Sequence, residues 1–151
     1  MKDVAGYKVN HHLAIEDLPQ EARVLSGSLS EAEKLGIDGR SVTPFIQAQM
    51  DAAKAIQYRY CADWLSVPEK GWQPDSLERV RSEISALNIS ILTRISQQLT
   101  KGERLTDKSA FMTKIDLTHL KNGDKERLWD SRKLITLKNS QHKKRGLCKT
   151  H

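Results

Sequence analysis

The stretch VTPFIQAQMDAAKAIQYRYCADWL, Val42 to Leu65, is the longest uninterrupted helical pattern in the front half of the chain, and its reading decides the fold. Thr43-Pro44 opens it. Proline is tolerated in a first helical turn because the N–H it lacks has no intrahelical partner there, and Ser41 or Thr43 is placed to cap the other free donors. No breaker follows until Pro68. Apolar side chains recur at Val42, Phe45, Ile46, Met50, Ala53, Ile56, Tyr60 and Trp64, the three-or-four spacing that gathers them on one face. Gln49 and Gln57 lie on that face, one turn either side of Ala53, and so outline a small polar pocket. Spacing alone favours the plainer account, in which the amides pair with neighbouring helices or buried water.

Upstream, Met1, Val4, Ala5 and Lys8 are in helical register over residues 1 to about 12, with Gly6 weakening the helix. No capping residue precedes them, as though the helix began earlier. Lys8 falls one turn after Val4, which aims its ammonium group toward the interior unless it snorkels to water. His11 and His12 are adjacent, point apart on a helix and have no third ligand nearby, so they read as surface residues and not as a metal site. Asp17, Pro19 and Gln20 then form a capping-box pattern opening a second helix, with Leu18, Ala22, Leu25, Leu29 and Ala32 as its buried stripe. Leu35-Gly36-Ile37 carries the glycine-then-apolar signature of a helix end. Glu21 is either a first-turn acid complementing the helix dipole or an acceptor facing a ligand.

Downstream, SVPEKGWQP (66 to 74) is a loop, and Asp75 with Glu78 reads as a second capping box. The helix it opens runs to about Leu99 with Leu77, Val80, Ile84, Leu87, Ile91 and Ile95 inward; Arg81 and Asn88 border that line, where an arginine usually pairs with an acid. Shorter helices are expected from about Thr106 to Ile115 and from about Asp124 to Leu137, punctuated by Asn122-Gly123. With no strand alternation and no internal repeat, the expected class is all-α, a bundle of about five to six helices.

Composition excludes several function classes. No run approaches the roughly 20 apolar residues of a membrane span. The net charge of +6 is concentrated in residues 138 to 151, which carry five lysines and arginines and no acid, so the expected division is a helical domain over 1 to 137 and a basic, flexible tail over 138 to 151. With that charge in a tail and only eight aromatic residues for stacking, specific nucleic-acid binding is not expected. Cys61 and Cys148 form no metal or redox spacing.

Three stretches together, MKDVAGYKVNHHLAIED (1 to 17), FIQAQMDAAKAIQYRYCADWL (45 to 65) and RSEISALN (81 to 88), resemble the AroQ class of chorismate mutases, most closely its secreted, periplasmic gamma type. The resemblance spans roughly residues 1 to 100; the back third is similar only in being helical. It implies a chorismate mutase II-like helical bundle that isomerises chorismate to prephenate without metal or organic cofactor, in the service of aromatic amino-acid biosynthesis. By position it implies that Lys8 and Gln57 reach the ether oxygen and that Arg81 binds a carboxylate. Asp17 and Glu21 fall near the substrate hydroxyl, and Ala53 is a small pocket-lining residue. Gln20 stands where the family carries a substrate-binding arginine, with Arg23 one turn away as its substitute. A further family arginine falls upstream of Met1, so the first helix is expected to be incomplete. The type implies a homodimer with a site inside each subunit, and a periplasmic or secreted location. MKDVAGYK itself has no signal-peptide core, so a chain complete as given is expected in the cytoplasm. The alternative reading is a weakened or inactive helical relative that binds an anionic partner.

Overall fold

The computed structural model describes residues 1–103 and 105–138; the expected tail from 139 onward, including Cys148, lies outside the described residues. The described residues form six helices in order: α1 Lys2–Asn10, α2 Leu18–Lys34, α3 Gly39–Ser66, α4 Leu77–Thr100, α5 Lys108–Lys114 and α6 Asn122–Lys133. The all-α expectation holds. Among the described residues the only extended pairing is an isolated bridge between Ile37 and Leu137, and no helix is long and apolar enough to cross a membrane.

α3 is the organising helix: α1, α2 and α6 all pack on it, while α4 lies against α1 and α2, and α5 against α6. Its start differs from the sequence reading. The N-cap is Asp38, whose side chain accepts from the Arg40 N–H (3.2 Å), so Pro44 sits in the second turn. Ser41 and Thr43 do other work. The Ser41 hydroxyl accepts from the Thr136 N–H (2.9 Å) and thus ties the chain end to the start of α3, and Thr43 donates to the Gly39 carbonyl (2.7 Å). Sequence pattern marked proline and the hydroxyls as the helix boundary, but an aspartate one turn earlier captures the free amides first.

The second helix ends as read. Gly36 adopts φ +79°, the left-handed conformation favoured by glycine, and the Ile37 N–H returns to the Ala32 carbonyl (2.9 Å). Its beginning is half as read: Asp17 accepts from the Gln20 N–H (3.1 Å), but the Gln20 side chain turns to Arg23 instead of completing the box. For α4 the cap is Ser76, accepting from the Arg79 N–H (3.2 Å), not Asp75, whose own N–H donates to Asp3 (3.2 Å). Asn122-Gly123 opens α6 where punctuation was expected.

The main core joins Ala32, Ile37, Val42, Phe45, Ile46, Leu92, Ile95 and Ile135; a smaller one joins Ala52, Ile56 and Leu120. Two predicted stripes depart from this. Leu18 and Ala22 are exposed, and so are Leu87 (63%) and Ile91 (40%), while Leu92 is fully buried. On α4 the physical reason is a cavity between α2, α3 and α4, which Leu87 and Ile91 line, with close packing resuming at Leu92 and Ile95. On α2 the stripe packs on the core only at Leu25, Leu29 and Ala32, and Leu18 and Ala22, which do not line the cavity, precede that contact. Truncation should expose the difference. Leu92→Ala is expected to cost about 2–5 kcal/mol in urea unfolding and Leu87→Ala less than about 1 kcal/mol; equal losses would contradict this packing.

Candidate active site

The space between α1, α2, α3 and α4 is a cavity of about 590 Å³. Lys8, Asp17, Gln20, Glu21, Ala53, Gln57 and Arg81, the seven residues singled out in the sequence, all line it, together with Gln49. The family resemblance implied this convergence, while local spacing did not, since the groups come from four helix segments and one loop.

Lys8 is the pivot. Its residue is 6% exposed, and its ammonium donates to the Ile15 carbonyl (2.6 Å) and to Gln57 Oε1 (3.2 Å). The local backbone supplies the first of these acceptors. At the end of α1, His12 takes a left-handed φ of 54° and the Leu13 N–H returns to the Lys8 carbonyl (2.8 Å), so the chain doubles back and brings Ile15 over the lysine. Of the two readings open for this lysine, the interior one is correct. His11, by contrast, is exposed and stacks on Tyr7. α1 is pinned from outside by the loop before α4: the Trp72 ring lies where a Cβ on Gly6 would be, 2.7 Å away. Gly6, a weak helix former, is what lets that ring approach.

Gln57 is 5% exposed, and Lys8 fixes its orientation. Because its carbonyl oxygen accepts from the ammonium, its amide N–H group must face the other way, where among the described residues it meets only the Met1 sulfur at 3.5 Å. A thioether is a weak acceptor, so this donor is available to a better one.

Asp17 serves two purposes with its two oxygens. Oδ1 caps α2, while Oδ2 faces the Arg81 guanidinium at 3.6 Å. Arg81 thus has the acid neighbour expected of it, at a distance that leaves its planar fork largely uncommitted. Arg23 also lines the cavity and donates through Nε and Nη2 to Gln20 Oε1 (3.1 and 2.9 Å). Gln20 therefore acts as the anchor of an arginine. Below them Asn88 donates to the Ser28 hydroxyl (2.9 Å), joining α4 to α2.

Lys54 is a lining residue that sequence reading missed. It pairs with Glu21 (2.8 Å), and Glu16 and Asp51 stand farther off at 3.6 and 3.8 Å. It follows Ala53 directly and so falls off the line of Gln49, Ala53 and Gln57; its partner Glu21 lies on another helix, and no local pattern signals the pair. Hydrogen bonding to Glu21 raises the Lys54 pKa above the usual lysine value.

Two relatives fix the kinship. The secreted chorismate mutase of Yersinia pestis is 46% identical over 140 residues, covering 91% of this chain and 75% of that protein. The chain belongs to the chorismate mutase family. A monofunctional chorismate mutase of Enterobacter agglomerans is also 46% identical, over 132 residues, covering 87% of this chain and 73% of that protein. The crystal structure of the Yersinia pestis secreted chorismate mutase superposes with a TM-score of 0.87 at 44% identity, covering 90% of this chain and 89% of that one. No family model matches the sequence. The chorismate mutase fold thus extends into the back third, where the sequence showed only helical character.

Electrostatics in this chorismate mutase cavity turn on Lys8. Burial pushes its pKa below the usual lysine value of 10.5, opposed by the Asp17 carboxylate; Arg81 adds to the lowering and Glu21 opposes it. The folded state therefore releases this proton before the unfolded chain does. Between the lowered value and 10.5 the unfolded chain binds more protons, and this group makes stability rise with pH. In an NMR titration of labelled lysines, Lys8 is expected to titrate below 10.5; a midpoint at or above that value would contradict the buried placement.

Proposed function

We propose that this cavity converts chorismate to prephenate, a Claisen rearrangement in which the ether carbon–oxygen bond breaks as a carbon–carbon bond forms. Kinship with chorismate mutases at 46% identity supports the activity. The observation that carries the residue roles is the contact between the Lys8 ammonium and the Gln57 amide inside a cavity that Arg81 also lines.

The reaction has no proton to move and no covalent intermediate. What accelerates it is holding a flexible dianion in its compact reactive shape and stabilising the negative charge that grows on the ether oxygen. Lys8 and Gln57 Nε2 are the donors for that oxygen; the ammonium supplies charge and the amide a neutral hydrogen bond that ionisation cannot remove. Arg81 takes one carboxylate, a task suited to a planar fork with free donors. Arg23, held by Gln20, is the second guanidinium at the cavity and the proposed partner of the other carboxylate. Asp17 and Glu21 face the ring hydroxyl. Glu21 Oε2 is a buried oxygen without a hydrogen-bond partner, which a hydroxyl donor would satisfy. Ala53 leaves room for the ring.

The secreted relative supports an exported protein, periplasmic or released, as the destination. A homodimer, which the resemblance to the gamma type implies, is the proposed assembly, and since every group named above comes from one chain each subunit would hold its own site.

Following loss of chorismate absorbance and formation of prephenate across pH tests the roles together. Lys8→Ala or Arg81→Ala should lower kcat/KM by about a hundredfold or more while the helical signal persists. The wild-type profile should lack an acid limb from Gln57 and fall on the alkaline side, as Lys8 loses its charge, at a midpoint below 10.5. Gln57→Glu should acquire a decline with rising pH as its carboxyl ionises. Activity of Gln57→Glu equal to wild type at neutral pH, or full activity without Lys8, would rule out these assignments.

A further inference from the structure

Glu21 is divided between two environments. One oxygen, Oε1, is ion-paired with Lys54 at 2.8 Å; the other, Oε2, is buried and, among the described residues, has no hydrogen-bond partner. A buried acceptor without a donor is rare in folded proteins, and a carboxylate free to rotate would exchange its two oxygens. Here it is not free. The Lys54 ammonium is drawn toward Glu21 against two further acids, Glu16 at 3.6 Å and Asp51 at 3.8 Å. Asp51 is itself held in place, accepting from Gln47 (3.0 Å) and from Arg127 of α6 (2.5 Å). The line Arg127, Asp51, Lys54, Glu21 therefore runs from the back third of the chain to the cavity. Lys54 also lines the cavity, but its charge faces carboxylates on the protein.

We infer that Lys54 is a positioning residue for the substrate: by occupying Oε1 of Glu21 it leaves Oε2 as the one open acceptor, set to receive the ring hydroxyl of chorismate. This inference rests on the function proposed above and adds to it a residue that acts through Glu21. A hydroxyl that stays in place while the ether bond breaks is held equally before and during the reaction. Its loss is read in KM more than in kcat.

The test is a double-mutant cycle on the full chain with chorismate as substrate, comparing wild type, Lys54→Met, Glu21→Gln and the double variant, with Lys54→Arg as the conservative replacement. Lys54→Met should raise KM about tenfold with kcat changed less than about threefold, and Lys54→Arg should restore most of the loss. Added to Glu21→Gln, Lys54→Met should have no further effect, since the residue through which it acts is already altered. Lys54→Leu, which likewise removes the donor, replaces Lys54→Met if that variant does not fold. Independent, multiplying effects of the two substitutions, or a loss confined to kcat, would overturn the inference while leaving the reaction assignment standing. Absence of turnover in the wild type would instead remove the reaction assignment and the inference with it.

Discussion

A lysine residue only 6% exposed must have its ammonium held by acceptors, and the arrangement of this molecule follows from how Lys8 is held. A lysine on a short helix would ordinarily swing its charge to water. The left-handed turn at His12 prevents that by returning the Ile15 carbonyl to the ammonium, and Gln57 closes the other side from α3. Those two bonds determine more than the lysine. They set the direction of the Gln57 amide, so that one charged and one neutral donor stand side by side at the wall of the cavity. Loss of either acceptor would leave a desolvated charge short of a partner, an outcome far less favourable than an ordinary lost hydrogen bond.

The cavity has a cost that appears in the packing. Four helices leave open space where a bundle of this size would normally interdigitate, and the exposed Leu87 and Ile91 on α4 border it. The compensating core lies to one side, in the layer built from Ile37, Val42, Ile46 and Leu92, and the back third buttresses α3 from its far side. Arg59 donates to the His119 carbonyl (2.5 Å) and to Asp124 (2.6 Å), while Trp129 is buried beside Phe111. Rigidity behind the site and room within it are thus supplied by different parts of the chain.

How much of this was legible in the sequence depended on whether the signal was local. Helix existence and type followed from periodicity, and the α2 terminus from Gly36, because both are set by residues close in sequence. Helix starts were less legible: Asp38 and Ser76 each stand close to the residue expected to cap, and which of several polar side chains captures the free amides depends on the path of the preceding loop. The predicted stripes failed at Leu87 and Ile91, which face the cavity, and at Leu18 and Ala22, which precede the part of α2 that packs on the core, because periodicity reports which residues share a face but not what that face meets. The seven candidate residues were reached through resemblance to a family, and geometry then brought them to one cavity. Lys54 remained hidden, since its identity as a site neighbour depends on Glu21 from another helix.

The central claim is that a dianion is gripped jointly by an ammonium, an amide and a guanidinium from α1, α3 and α4. A crystal structure with a bicyclic dicarboxylate mimic of the transition state addresses it without reference to rates. The account predicts the ether oxygen of that molecule within hydrogen-bonding reach of Lys8 Nζ and Gln57 Nε2, with one carboxylate on Arg81 and the hydroxyl at Glu21. A mimic bound elsewhere, or one seated in the cavity with its ether oxygen turned away from both donors, would contradict it.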